Sequence, residues 1–571
     1  MDAAVRRLPA AWTAALDRQR IDVEWRADLP VQVHGRAQAR RMLLDHALLD
    51  AWMRRPVDAG DNDPATRAAL AAVIHELAHF YDRTSQGRLS RDPRLLDLAG
   101  WQVSPLKLGL RTTGNAFSDR SPDRYELTSP VEFVAVNLEH FLLDPAYACR
   151  RPALHRHFAR HFGTSPPQAE CAPGLVYLQA STEVGQLPLL QLDADRVYAV
   201  DYLLAEGNEQ PMSRWGHSML RLVVCAPGRV RGPDCRLDLQ HHRVLSFRAF
   251  VDDVQISSWR GLTGSYPSRL FLLPLAQVIE EYTKVELRGL QSIPLQLDEA
   301  EIATLLERAA QLHWSYDGRY YFISNNCAVE TYKLLHDGVP RLAGERLGSV
   351  TPTGLLRRLE RIGIADTTVL DDPVEARRVG YYFEPLSARY QAMFDVARDT
   401  LGLPQAQVRE WLALSPRERA PWLQQADLRA SAALLLLEQA ALRRGELLAR
   451  DELKRRLLGR RKDLRHADRP DALAALQEVL RLEGFLSRPA ALLPDAGYGL
   501  PQDEERTALA RESSRHAAQW RQRSDDLRAQ ARRWLPPQRL AALDATQANI
   551  DQLGARLRRL HEEQGGLQLM L

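Results

Sequence analysis

The sequence lacks any run of the roughly 18 apolar residues that a membrane-crossing helix needs. Its best apolar stretch, Ser431–Leu442, is interrupted by Glu438 and Gln439 and reads as a packed helix. Charge of one sign is also lacking. The 76 basic and 73 acidic residues leave a net charge of +3, which gives no reason to expect nucleic acid as a partner. Lysine is very scarce; the basic side is nearly all arginine, which reads as codon bias more than as a phosphate-binding surface. No internal repeat is visible. The start, MDAAVRRLPAAW, has no apolar core of a secretory leader, so the leader of an exported protein is expected outside this sequence.

Cysteine is scarce as well, and its placement is informative. Cys225 and Cys235 flank APGRVRGPD, a Gly/Pro-rich loop after the strand-like LRLVV, and Cys149 and Cys171 bracket another short segment. Two bridges, Cys149–Cys171 and Cys225–Cys235, are therefore expected, with Cys327 left as a free thiol. Disulfides persist in oxidising compartments, so a periplasmic or secreted protein is expected; five reduced cysteines in a cytosolic protein is the alternative. Peripheral association with a membrane is compatible with this composition and a transmembrane segment is not.

At 571 residues, 45% of them hydrophobic and 26% charged, the chain is an ordinary globular composition too long for one core. The expected fold is multidomain α+β. Residues 1–170 read as mostly helical: Arg67–Asp82 is apolar at Leu70, Val73, Ile74, Leu77 and Ala78, and a second helix opens at Ser129-Pro130. Between them Arg111–Glu126 is a long polar loop of the kind that is often functional. Over 171–375 the period shortens. VYLQA, RVYAVDYLLA, HSMLRLVVC, RVLSFRAF and RLFLLPL read as strands, followed by a helix at Asp298–His313, a strand at Arg319–Ile323 and a helix from Cys327 to His336. Residues 376–571 read as all-helical, with a Gly/Pro loop near Pro494–Gln502 and a charged tail, Glu504–Leu571, that forms a hairpin or short coiled coil.

Two constellations carry chemistry. The first is His75-Glu76-Leu77-Ala78-His79, an HExxH motif within a helical pattern. Positions i and i+4 share a helical face, so both imidazoles reach one Zn2+ while Glu76 stands where it takes a proton from water. Glu132 is the chosen third ligand, with Glu126, Glu139 and His140 as alternatives. The competing role for Glu132 is a capping box with Ser129, and Glu139, two turns further on the same face, would orient a ligand. The segment SPVEFVAVNLEHFLLDP resembles the glutamate helix of gluzincin-type metallopeptidases, which implies a zincin-like domain.

The second is Cys327, in YYFISNNCAVETYKLL. The caps Asn325-Asn326 place the cysteine in the first turn of a helix, where the partial positive charge favours a thiolate and free N–H groups can form an oxyanion hole. His217, in SRWGHSMLRLVV, is the candidate base; His241, His242 and Ser246 are candidate orienting groups and Asn326 a candidate oxyanion group. The ordered blocks WGHSMLRL, LSFRAF, EEYTKVELRGL and SNNCAVETYKLL, over about 195–340, resemble the Lnb N-terminal periplasmic domain family, relatives of the permuted papain-like, NlpC/P60-related cysteine enzymes. That resemblance implies a papain-like α+β domain, Cys327 as nucleophile, His217 as base, and acyl transfer or hydrolysis on a lipoprotein, a peptidoglycan peptide or a protein amide. Glu281, Tyr282, Glu286 and Arg288 fall in a polar block of the same family. Two other functions fit the sequence: a zinc peptidase with the thiol domain as its substrate-binding module, and a non-catalytic envelope scaffold.

Overall fold

The computed structural model describes residues 1–571 apart from 31–32, 57–59, 61–62, 104–109, 180–188, 208–213, 250–265, 322–324, 459–487, 494–496 and 564–571. Parts of the expected strands VYLQA and Arg319–Ile323, of the loop near Pro494 and of the tail therefore lie outside the described residues.

The apolar spacing after residue 67 produces helix α1, Pro64–Asp82, whose N-cap Asp63 accepts from Thr66 N–H. Helix α2, Pro130–Leu143, opens at Ser129, whose hydroxyl accepts from Glu132 N–H at 3.3 Å. The two helices pack together around Ile74, Ala78, Val134 and Leu138. The expectation of a mostly helical region omitted a three-stranded sheet, β1 (Asp22–Arg26), β2 (Gly35–Ala37) and β3 (Arg41–Asp45), in the order β1-β3-β2. β1 and β2 are short, charged and mostly exposed, and the buried Met42-Leu43-Leu44 of β3 is too short a run to mark a strand.

In the centre β4 (Leu175–Leu178) and β5 (Leu189–Leu192) form a ribbon. Seven further strands make one sheet in the order β11-β9-β8-β7-β6-β10-β12, antiparallel throughout: β6 (Val197–Ala205), β7 (His217–Val224), β8 (Arg243–Ala249), β9 (Tyr266–Pro274), β10 (Leu290–Pro294), β11 (Gly318–Tyr320) and β12 (Tyr382–Phe383). Alternation divides β7 between two cores. Leu220, Leu222 and Val224 face helices α3 (Glu299–Ser315) and α4 (Cys327–Gly338), whereas Met219 faces Val278 and Tyr282. Helix α3 begins with a full capping box between Asp298 and Glu301.

The last region is helical, with α5 (Leu386–Leu401), α6 (Leu428–Leu458), α7 (Asp503–Arg533) and α8 (Pro537–Glu563). Its core gathers Phe394, Trp411, Leu434, Leu437 and Leu553. Glu438, which breaks the apolar run of α6, is fully buried against Arg419 (2.5 Å) and Asn549 (3.0 Å), so the charge sits inside because it is paired. This region is not self-contained. Strand β12 completes the central sheet, Tyr498 lies in the first core, and Leu500 and Leu509 lie in the second. Both expected disulfides are present, Cys149–Cys171 and Cys225–Cys235, and Cys327 is free and buried. Among the described residues no helix is long and apolar enough to cross a membrane.

Candidate functional site: a metal-type cluster and a buried thiol

Helical spacing brings His75 and His79 to one face of α1, and α2 supplies the opposing carboxylate. Glu132 Oε2 stands 3.3 Å from His75 Nε2 and 3.2 Å from His79 Nε2. The three ligand atoms lie within 4.8 Å of one another. Glu139 Oε2 is 3.7 Å from His75 Nδ1, on the far side of the ring, where it orients the imidazole. The Glu132 carboxylate faces the histidines and does not close the capping box with Ser129; only the Ser129 half is made. Glu126 is not part of the cluster: it is fully buried in a bidentate pair with Arg151 at 2.7 and 2.8 Å. His140 packs its ring on Tyr498 at 5.0 Å.

The charges follow this packing. Burial alone would lower His75, but the carboxylates of Glu132 and Glu139, which accept from its ring, raise it to about 9. Burial alone would raise Glu132, and His75 and His79 bring it down to about 2. Glu76 is buried and its carboxyl is raised by that burial. One of its oxygens, Oε2, has no hydrogen-bond partner among the described residues. Strand β2 closes over it: a Cβ at Gly35 would stand 2.6 Å from Glu76 Oε1, so only glycine allows this approach. Sequence reasoning missed Tyr125, a half-exposed residue whose hydroxyl bonds Glu132 and whose ring centre is 6.3 Å from that of His75. Its short turn, Arg124–Leu127, carries no pattern that would mark it.

A similar cluster, Asp97, His336 and Asp337, has metal-ligand spacing but a different balance. Arg111 reaches Asp97 at 2.6 Å and Arg308 reaches Asp337 at 2.8 Å, so its negative charge is already neutralised.

Cys327 occupies the first turn of α4 as expected, but its surroundings differ from the expectation. Asn326 Oδ1 accepts from the N–H groups of both Ala328 and Val329, and Cys327 N–H donates to the Tyr320 hydroxyl at 3.2 Å. The N–H groups expected to form an oxyanion hole are thus already bonded, and Asn326 serves as the cap. Burial raises the thiol, and hydrogen bonds from Ser218 and Tyr320 oppose the rise.

His217 lies on the other side of β7. Its Nε2 is 3.1 Å from Ser246 Oγ and its ring stacks on Tyr282 at 6.1 Å, within the Met219 face. Ser218, the next residue, faces Thr331 of α4 and is the one that reaches the thiol. No hydrogen bond joins Cys327 and His217. Burial drives His217 down to about 3, with Arg248 and Arg288 adding to the effect, so the imidazole is neutral. Ser246 therefore does contact the candidate base. His242 does not: Arg221 donates to its Nδ1 at 2.9 Å and its Nε2 donates to Cys235 O at 2.8 Å, which uses both ring nitrogens. His241 sits on the exposed turn before it.

The polar block becomes legible here. Glu281 forms a bidentate pair with Arg248 at 3.0 Å, Arg248 Nε donates to Ser246 Oγ at 3.1 Å, and Arg288 lies over the Tyr282 ring at 5.3 Å beside Glu286. Together they build the seat of His217.

Comparison with known proteins sorts these regions. Residues 186–361 match the family described as Lnb N-terminal periplasmic domain. Residues 1–88 and 84–171 match a family described as Domain of unknown function (DUF7844), so the likeness of that region to metallopeptidases rests on its residues alone. No curated protein and no solved structure matches the chain. The Lnb-like domain, the two disulfides and the lack of a membrane-crossing helix among the described residues fit an extracytoplasmic location.

Proposed function

We propose that this chain is an envelope enzyme whose best-assembled reaction centre is a zinc-type hydrolytic site on α1 and α2. One observation carries the reading: two imidazole nitrogens and a carboxylate oxygen converge within 4.8 Å beside a buried carboxylate that has an unbonded oxygen. Two nitrogens and one oxygen suit Zn2+ with an open position, and His75, His79 and Glu132 would hold it. When bound, the ion supplies Lewis acidity. Glu76 does the proton work: its Oε2 takes a proton from the attacking water and returns it to the leaving amine. Glu139 keeps His75 turned toward the site. A peptide or protein amide of the envelope is the substrate class.

A second reading is favoured by the family match across 186–361 and the helix N-terminal place of Cys327. In it the thiol gives its proton to His217, and the thiolate adds to an ester or amide carbonyl of a lipoprotein, cell-wall peptide or protein. The leaving alkoxide or amine recovers the proton, and water or an amine resolves the acyl thioester. His217 stands on the opposite face of β7 with its Nε2 engaged by Ser246, so this step requires the start of that strand to rearrange and not a ring turn alone. The experiment that separates the readings compares Glu76→Gln with Cys327→Ala on a casein-type peptide mixture and on a diacylated lipopeptide. The metal reading expects peptide cleavage to be lost in Glu76→Gln alone. Cleavage or acyl transfer lost only in Cys327→Ala would make the thiol the working centre, and full activity of both variants would overturn both.

A further inference from the structure

Helix α4 carries Cys327 at one end and Asp337 near the other, and the first region of the chain grips both. At the N-terminal end Asn325 Nδ2 donates to the buried Glu330 carboxylate at 2.6 Å and to Arg319 O at 2.8 Å, and the Tyr316 hydroxyl donates to the same carboxylate. These bonds fix the turn that delivers the cysteine. Tyr316 is itself clamped from outside its domain: the Phe117 ring packs on it at 5.5 Å, Asp317 N–H donates to Ala116 O at 2.7 Å, and Asp119 N–H donates to Ser315 O at 3.2 Å. Phe117 belongs to the long polar loop between α1 and α2, yet its side chain is counted in the central core.

At the C-terminal end a helix exposes unpaired carbonyls and disfavours negative charge. Asp337 is nevertheless buried there. Arg94 supplies the missing donors, to His336 O at 3.1 Å and Asp337 O at 2.6 Å, and Gln102 Nε2 donates to the Asp337 carboxylate at 2.6 Å. Arg308 reaches that carboxylate from α3 at 2.8 Å and also donates to Leu98 O and Asp97 O. Arg94 and Gln102 come from the first region, so the end of the thiol helix is completed by another domain.

We infer that the N-terminal domain is a structural part of the thiol site, with Phe117 and Arg94 as positioning residues that hold the two ends of α4 and thereby keep Cys327 seated against Ser218 and Tyr320. The long loop after α1 thereby serves both centres: one end of it reaches the metal-type cluster through Tyr125, and its middle holds the thiol helix. The inference rests on the reading that Cys327 is a thiol of altered reactivity.

The test is the rate of Cys327 alkylation by iodoacetamide in the full chain from pH 6 to 9.5, well below the melting temperature, with the labelled site read by mass spectrometry. Phe117→Ala and Arg94→Ala are compared with wild type and with the conservative Phe117→Tyr. Loss of either grip lets the buried thiol reach solvent, so both alanine variants should label at least fivefold faster at pH 7.5. Their pH midpoint should move down toward the free-thiol value of about 8.5, and Phe117→Tyr should restore the wild-type profile. Equal rates and equal midpoints in all four proteins would overturn the inference. A thiol labelled in the folded wild type with its midpoint already at the free value would overturn the underlying reading as well, because the seat would then do nothing to it.

Discussion

The two candidate centres are built by different geometries, and the difference decides how complete each is. The cluster on α1 and α2 depends on helical spacing: His75 and His79 share a face because they are four residues apart, whatever else the chain does. The thiol site depends on a strand and a helix meeting from distant parts of the sequence. In a strand, adjacent residues face opposite ways, so Ser218 reaches the thiol while His217 turns to Ser246 and Tyr282. A helical motif fixes side-chain convergence locally; a strand motif fixes only which residues alternate.

The largest expected effect sharpens this contrast at Glu76. Glu76→Gln should keep the metal and lower metal-dependent hydrolysis by about 100- to 10,000-fold, as expected for loss of a general base; parallel metal analysis and peptide-cleavage assays check both halves. The next tests the support beneath the cluster. Glu126→Ala leaves the buried Arg151 without its carboxylate, which should cost about 3–5 kcal/mol of stability, read by denaturant unfolding. Glu139→Ala removes the acceptor behind His75 and should weaken zinc affinity by about 10- to 100-fold, measured by competition with a chelating dye.

The thiol side should respond more weakly. Ser246→Ala frees the His217 Nε2 on the opposite face of β7 from the thiol, so Cys327 alkylation at pH 7 should change by no more than about threefold, the scale of one net hydrogen bond. A larger fall in rate would show that the serine aids the base. The last expected effect concerns pH. His313 accepts from Leu178 N–H at 2.9 Å through Nε2 and donates to Leu270 O through Nδ1, a pattern that only the neutral ring satisfies. Burial lowers it to about 4, against about 6.5 when unfolded. The unfolded state therefore binds the extra proton between those values, so the stability is complete above pH 6.5 and falls as the pH drops toward 4. The slope is about 1.4 kcal/mol per pH unit for this group. His313→Gln, which can keep an acceptor and a donor, should flatten the unfolding profile across that window.

The sequence made some of this legible and hid the rest for physical reasons. Helix α1 with its histidines, Glu132 at the start of α2, the position of Cys327 behind its asparagine cap and the pairing of four cysteines all follow from local spacing and capping chemistry. The sheet β1-β3-β2 was invisible because its strands are short and its one apolar run, Met42-Leu43-Leu44, spans three residues. The seat of His217 was invisible because Arg248 and Glu281 are 33 positions apart and meet only through the sheet. His242 was plausible as an orienting group from its strand, and only the buried Arg221 shows its ring to be fully used. The return of Tyr498 to the first core, far from its neighbours in sequence, is likewise a tertiary fact without a local pattern.

The central claim, that α1 and α2 form a zinc-type site, is tested most directly by the metal content of protein purified without chelator. The account predicts about one zinc per wild-type chain and less than about a tenth of an equivalent in the His75→Ala, His79→Ala double variant, given the tight binding typical of such sites. A folded wild-type chain that takes up no zinc, or a double variant that keeps a full equivalent, would contradict it.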